Sequence, residues 1–449
     1  MLGIGPKARG AAVGQPHSSA MPVHPPESHP EPELIRARIV LPVSRPPIAD
    51  GAVLVNRGRL QFVGRWADTP AGAAAKCVDL GEVILLPGLI NAHCHLDYTH
   101  MAGLIPPGLE FTDWLKYLVS LKASWCLAEF AASWRAGAQM LLRHGVTTVV
   151  NTEAVPELFP HQWHETPLRV VSMRELIGFK DPQDAAALVQ TAVAQWAQCA
   201  GPHRSIGLAP HAPYSTCAQL LQAAAAAARA RRWPLSTHVA ESEAEYLMFT
   251  AAAGPMYQWL KPQRDMSDCG LGSPVQWLAR CGYLGPELLA VHCNYLVPED
   301  IALLAAHGVS VVHCPRSHAY FGHRPFPWQA LVQAGAKLCL GTDSLASVSG
   351  TAGQPVELDL FAEMQALAAA APPLEPRRIL EMATVNAAHA LGRPGQLGEL
   401  VEGAWADLIA LPFTGSIHQA TEAVVHHRGP VVASQIAGRW VWGAQAAGA

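Results

Sequence analysis

Leu85-Leu86-Pro87-Gly88-Leu89-Ile90-Asn91-Ala92-His93-Cys94-His95 is the stretch on which the fold of this chain turns. Its apolar run predicts a buried strand, and the strand ends in two histidines two residues apart. In extended backbone, residues i and i+2 project to the same side, so the His93 and His95 imidazoles are expected to face one point. Imidazole suits a borderline ion such as zinc, and two rings on one rigid strand make half of a site. A buried histidine pair satisfied by neighbouring backbone groups is the competing reading. Cys94, on the opposite side, reads as a small packing residue.

Downstream, strand candidates alternate with helical segments, the pattern of parallel βα units. The strands are expected at 89–93, 146–150, 168–173, 206–210, 235–239, 288–292, 309–313 and 336–341, with helices at 114–137, 182–199, 218–232, 274–282, 299–306, 328–334, 358–371 and 375–390. Eight such units predict an α/β fold, a (β/α)8 TIM-like barrel whose active site lies at the C-terminal ends of its strands. The polar residues expected there are His93, His95, Asn151, Glu153, Arg174, Glu175, His211, His238, Glu241, His292, His313 and Asp343. A barrel that only had to pack would not need so many ionisable groups on one rim.

Upstream of the barrel, residues 33–86 read as short β runs broken by turns at Asn56-Arg57-Gly58 and Asp79-Leu80-Gly81. Residues 406–411, 423–426 and 431–432 read the same way, so the two chain ends are expected to build one small β-sandwich. The expected organisation is a flexible tail at 1–30, a composite β-sandwich domain of 31–86 plus 395–449, and a catalytic barrel at 87–394.

Half of the 449 residues are hydrophobic and 15% are charged, which allows a substantial core and argues against global disorder. With 31 Lys plus Arg against 35 Asp plus Glu, the formal charge of -4 implies no nucleic-acid partner. No long apolar segment predicts a membrane span. Ten cysteines without a CxxC pair give no dense disulfide pattern, so a reducing, cytoplasmic setting is expected. The Pro-, Gly-, Ala- and His-rich start reads as a loose tail rather than a secretory signal.

Two further motifs sit at strand ends. In Thr237-His238-Val239-Ala240-Glu241-Ser242 an imidazole precedes a carboxylate by three residues, so His238 can ligate a metal while Glu241 moves a proton, provided burial raises its pKa. A helix cap or exposed loop acid is the alternative for Glu241; Glu243 and Glu245 are expected to be solvated. In Gly341-Thr342-Asp343-Ser344 a carboxylate follows an apolar strand, suited to ligate an ion and accept a proton from water, or to cap a turn. His211 and His292 are less specific: each could orient substrate, shuttle a proton or be a satisfied core histidine.

In combination, Pro-Gly-Leu-Ile-Asn-Ala-His-Cys-His, His-Val-Ala-Glu-Ser, Val-His-Cys-Asn and Gly-Thr-Asp-Ser resemble the amidohydrolase superfamily, in its cytosine-, guanine- and adenosylhomocysteine-deaminase-like branch. The resemblance spans residues 33–442, closing on Gly403-Ala404-Trp405-Ala406-Asp407-Leu408. It implies that His93, His95, His238 and Asp343 are metal ligands, that Glu241 carries the proton beside the reacting ring nitrogen, that His292 positions or shuttles the attacking water, and that His211 contacts substrate. Asp343 would also accept a proton from that water. Binuclear relatives often carry a carboxylated lysine at the end of strand four; here that strand ends Leu208-Ala209-Pro210-His211, so one divalent ion is implied, zinc first, with iron or manganese also compatible. The implied activity is hydrolytic deamination of an amino-substituted N-heterocycle, releasing ammonia.

Two features bear on the substrate. Phe111 and Trp114, after a loop that follows the first histidine pair, could face an aromatic substrate from a lid, or simply pack the helix on the barrel. His313-Cys314-Pro315-Arg316-Ser317-His318 departs from the Cys-Pro-x-Ser-Asn pattern of many adenosylhomocysteine and methylthioadenosine deaminases; with Phe111-Thr112-Asp113-Trp114 it more resembles aminodeoxyfutalosine deaminases or amidohydrolases of no assigned substrate. Arg174 or Arg316 could meet a substrate carboxylate, or form a salt bridge elsewhere. The preferred substrate is therefore an adenine-containing nucleoside-like small molecule such as aminodeoxyfutalosine or adenosylhomocysteine. The alternatives are a triazine chlorohydrolase or imidazolone-type ring hydrolase, and a noncatalytic metal-binding scaffold. A homodimer is the family expectation.

Overall fold

The computed structural model describes residues 31–70, 76–179, 184–199, 204–350 and 356–443. The expected tail at 1–30 lies outside the described residues. Eight parallel strands run in chain order: β6 (Leu89–Cys94), β7 (Val146–Glu153), β8 (Arg169–Leu176), β9 (Arg204–Pro210), β10 (Leu235–Val239), β11 (Leu288–His292), β12 (Ser310–His313) and β13 (Lys337–Leu340). Each pairs with its sequence neighbour, the order that right-handed βα units produce.

The barrel closes just past the end of β13. The Thr342 and Asp343 N–H groups donate to the His93 carbonyl at 3.0 and 3.2 Å, and Asn91 clasps Thr342 through both ends of its amide. Gly341 makes this approach possible, since a Cβ there would lie 2.9 Å from the His93 Cβ. One apolar cluster joins Ile90, Val150, Met173, Leu289, Val312 and Cys339 from six of these strands. Helix Val385–Ala390 closes the end opposite the rim, where the Asn386 amide donates to the Leu338 carbonyl at 2.9 Å.

Strands from both chain ends form the second sheet: β1 (Glu33–Val40), β2 (Ile48–Asn56), β3 (Arg59–Arg65), β4 (Lys76–Asp79), β5 (Val83–Pro87), β14 (Leu408–Pro412), β15 (Ala433–Ile436) and β16 (Arg439–Trp442). The hydrogen-bonded order is β16-β15-β14-β5-β1-β2-β3, with β4 beside the first half of β1 and β5 beside the second. These strands share a core of their own, including Ile35, Val53, Leu60, Leu85 and Leu408. β5 pairs antiparallel with β14 and passes through Gly88 directly into β6, so the sheet carries the histidine strand on its end.

The junction is sealed by a buried ion pair. The Arg169 guanidinium donates to both Asp407 oxygens, at 2.6 and 3.2 Å, and the Ala437 N–H gives Asp407 a further bond at 2.7 Å. Removing one member of such a pair costs about 3–5 kcal/mol, because the other charge is left buried and alone.

Three expectations need correction. Residues 423–426 are not a strand: Ala420–Val425 is a helix whose Val424 and Val425 pack on the barrel's outer cluster. A short β-branched run fits either state, and here the packing decides. The helix expected at 114–137 is two, Phe111–Ser124 and Leu127–Arg143, broken where Trp125 and Cys126 turn extended. The helix expected at 375–390 is also two, Pro376–Met382 and Val385–Ala390. Among the described residues no helix is long and apolar enough to cross a membrane. All ten cysteines are free.

Candidate metal centre and active-site cleft

The exit of β6 is not plain extended chain. Asn91 pairs with Val149 and Cys94 with Asn151, three steps on β6 against two on β7, which is a bulge of one residue. Bulges at strand ends re-aim side chains. Here both His93 and His95 reach the rim, their rings edge to face with centroids 4.8 Å apart.

His238, at the penultimate position of β10, completes a three-imidazole group. Its Nδ1 lies 2.8 Å from the His211 carbonyl, so that nitrogen carries the proton and Nε2 keeps its lone pair. That Nε2 stands 3.2 Å from Nε2 of His95. Asp343 Oδ1 is 3.6 Å from His93 Nε2 and 3.7 Å from His95 Nε2. Ligands on a tetrahedral zinc are spaced by about 3.3 Å, so these separations suit one ion at their centre.

The unfulfilled bonding of the site points the same way. Both nitrogens of His93 and Nδ1 of His95 are buried without a hydrogen-bond partner. Burial holds His95 and His238 well below the usual imidazole range, so both rings are neutral at neutral pH, the form in which imidazole can ligate an ion. Asp343 behaves oppositely. Burial pushes its pKa up, but the close approach of the His93 ring and the facing His292 and His95 imidazoles outweigh that and hold it well below the usual carboxylate range. Its Oδ2 accepts from the Ser317 and Ser347 hydroxyls at 2.7 and 3.0 Å, leaving Oδ1 for the imidazoles. Three imidazole nitrogens and one oriented carboxylate oxygen thus fit a divalent ion.

Glu241 follows His238 by three residues, after Ala240 has turned to a positive φ of 51°. It is buried, and its pKa is pushed well above the ordinary carboxyl value by desolvation, then by the charges of Asp343 and Glu245. Asn294 anchors the turn by donating to the Glu241 carbonyl at 2.9 Å. His292 Nε2 stands 3.3 Å from Glu241 Oε1, and burial lowers its pKa to about 3 despite the nearby Asp343. Positive φ at His292 (75°), Cys293 (50°) and Asp343 (55°) shows strained backbone gathered at this rim, as functional sites often have it.

Glu245, expected to be solvated, is buried. The capping geometry accounts for this: Ser242 accepts from the Glu245 N–H, and the Glu245 carboxylate folds back to accept from the Glu241 N–H at 2.8 Å. Glu243 is exposed, as expected.

The cleft above these groups is lined by His211, Phe111 and Trp114, together with Tyr98, Lys122 and Glu175. His211 Nδ1 is 2.7 Å from the Ser215 hydroxyl, and Trp114 donates from its indole to the Ala346 carbonyl at 3.3 Å. The two aromatic residues therefore both pack and line. The two arginines do not line the cleft. Arg316 is spent on Glu363, a fully buried carboxylate 2.5 Å away, and on the Glu357 carbonyl at 2.9 Å. Arg174 lies over the Trp196 ring, 5.9 Å from its centre. Strand alternation explains the difference: Glu175 faces the cleft, so its neighbour Arg174 faces the helices.

Sequence reasoning missed Lys122, Tyr98, Asn91 and the two serines on Asp343. Helical spacing from Trp114 was a usable signal for Lys122; nothing in the sequence pairs Ser317 with Asp343, 26 positions on.

A parallel barrel with three imidazoles and a carboxylate at its C-terminal rim defines the class of metal-dependent hydrolases. The amidohydrolase family model matches residues 84–441, and the chain belongs to that family. A 5-methylthioadenosine/S-adenosylhomocysteine deaminase from Syntrophobacter fumaroxidans is 33% identical over 384 residues, 81% of this chain and 80% of that protein. An adenosine deaminase from Xanthomonas campestris, solved with bound zinc, has a TM-score of 0.79 at 26% identity, covering 92% of this chain and 93% of that one. An atrazine chlorohydrolase from Arthrobacter aurescens, complexed with zinc, has a TM-score of 0.78 at 22% identity, covering 92% and 95%. At that identity the likeness speaks of fold alone.

Proposed function

We propose that this chain is a hydrolytic deaminase of an adenine-containing nucleoside-like compound, releasing ammonia, and that it works with one divalent ion, zinc before iron or manganese. The carrying observation is a four-donor set beside Glu241, a buried carboxyl that keeps its proton well above the ordinary pKa. His93, His95, His238 and Asp343 would hold the ion. When bound, such an ion acidifies a water and so supplies a nucleophile at neutral pH. The absence of a lysine at Leu208-Ala209-Pro210-His211 supports one ion rather than two.

The chain's own groups divide the proton transfers. Glu241, protonated, gives its proton to the ring nitrogen next to the carbon under attack, so that negative charge does not build there. Asp343, ionised, accepts a proton from the attacking water and returns one to the departing amine. The neutral His292 ring, within 3.3 Å of Glu241, positions that water. His211 contacts the substrate, and Phe111 and Trp114 offer it aromatic surface.

The adenine nucleoside preference is supported by the name of the relative from Syntrophobacter fumaroxidans, at 33% identity over most of both chains. We further read the protein as cytoplasmic, consistent with its free thiols, and as a homodimer. The test is ammonia release by metal-quantified protein from adenosine derivatives, 6-aminodeoxyfutalosine, guanine, cytosine and aminotriazines. Ammonia from the adenine nucleosides is expected. Chloride release from a chlorotriazine without ammonia from any nucleoside would replace the deaminase with a ring dehalogenase.

A further inference from the structure

The helix Phe111–Ser124 sends one stripe into the cleft: Phe111, Trp114, Leu115, Leu118, Val119 and Lys122. The spacing is that of a single helical face, and such a face is normally apolar throughout. Here it ends in a lysine. The Lys122 ammonium lies 4.9 Å from the centre of the Tyr98 ring, and Tyr98 in turn stacks on His95 at 5.2 Å with an interplanar angle of 4°. The charge therefore stands two ring steps from a metal ligand, on the wall of the same cleft.

Among the described residues Lys122 makes no ion pair, and no other Lys or Arg lines the cleft. A half-buried ammonium left to a ring face and water is poorly compensated. A carboxylate arriving with a ligand would compensate it with a charge-assisted bond. Glu175 lines the cleft as well, so a zwitterionic group would find both charges matched.

We propose that Lys122 is a specificity-determining residue that recognises a carboxylate on the part of the substrate remote from the amino group. This rests on the deaminase reading and narrows it to anionic or zwitterionic adenine nucleosides. The Tyr98 ring and the apolar stripe fix the direction from which that group approaches, while the metal donors fix the other end.

The test compares S-adenosylhomocysteine, which carries a carboxylate, with 5′-methylthioadenosine, which does not. Both kcat/KM and equilibrium Kd are measured on zinc-loaded wild type, Lys122→Met and Lys122→Arg. The wild-type preference for the carboxylated nucleoside should shrink by about tenfold or more in Lys122→Met, mostly through KM, and should be largely retained in Lys122→Arg. A parallel loss for both nucleosides, or an unchanged ratio, would overturn the assignment. Binding that discriminates through Lys122 without turnover would keep it and remove the deaminase; binding of neither nucleoside by any of the three proteins would remove both.

Discussion

At the junction of sheet and barrel, Arg169 and Asp407 are buried and complete: two bonds between their side chains, the Ala437 N–H on Asp407, and Trp405 beneath the guanidinium. At the rim, His93, His95, His238 and Asp343 are equally buried, but both His93 nitrogens and Nδ1 of His95 bond to nothing in the chain. Both clusters cost desolvation free energy to bury. The first recovers it internally and serves stability; the second would recover it from the ion we propose it holds. This contrast, rather than the number of polar residues, separates structural from functional polarity in this molecule.

The sharpest way to strain the comparison is to take proton transfer from the rim without touching its donors. Glu241→Gln should lower kcat by about 10²–10⁴ while zinc content stays at the wild-type ratio. Loss of zinc in that variant would place Glu241 among the ligands instead. The converse change is at the junction. Asp407→Ala should destabilise by about 3–5 kcal/mol in denaturant unfolding, yet leave the metal-to-protein ratio of the folded fraction intact.

Glu245 lies between the two cases, buried beside the site yet held by backbone. Burial raises its pKa from 4.5 to about 8, so the native state holds the proton while the unfolded chain has lost it. The stability from the neutral form is present below pH 4.5 and lost as pH rises to about 8. The unfolding free energy of wild type relative to Glu245→Gln should therefore fall across that window and stay flat outside it. A difference that did not change with pH would refute the buried, protonated carboxyl. The smallest effect is expected at Ser317. Its hydroxyl holds Asp343 Oδ2, and Ser317→Ala should weaken zinc binding by about 10–100-fold in a competition titration, with little change in unfolding of the zinc-free protein.

The parts of this contrast that local chemistry dictates were legible in the sequence. An apolar strand ending in His93 and His95, and an Asp343 after Gly341, mark the proposed donors because strand ends place their next residues on the rim. The eight strands were legible for the same reason, each a short apolar run between breakers. Long-range partnership was not. Arg316 looked available until Glu363, 47 residues on, took its guanidinium, and Arg174 looked rim-facing until the alternation of β8 turned it to Trp196. Glu245 read as a solvated acid because its carboxyl turns inward only where the preceding turn offers it the Glu241 N–H. The bulge at the end of β6, which lets both histidines reach the rim, leaves no trace in residue type.

The central claim is that one ion, held by His93, His95, His238 and Asp343, makes the incomplete cluster a deaminase. It is tested most directly by titrating zinc into metal-stripped protein while following ammonia release from an adenine nucleoside. Activity should rise from zero and saturate at one equivalent per chain. Saturation at two equivalents, or release that does not depend on zinc or any other divalent ion, would contradict it.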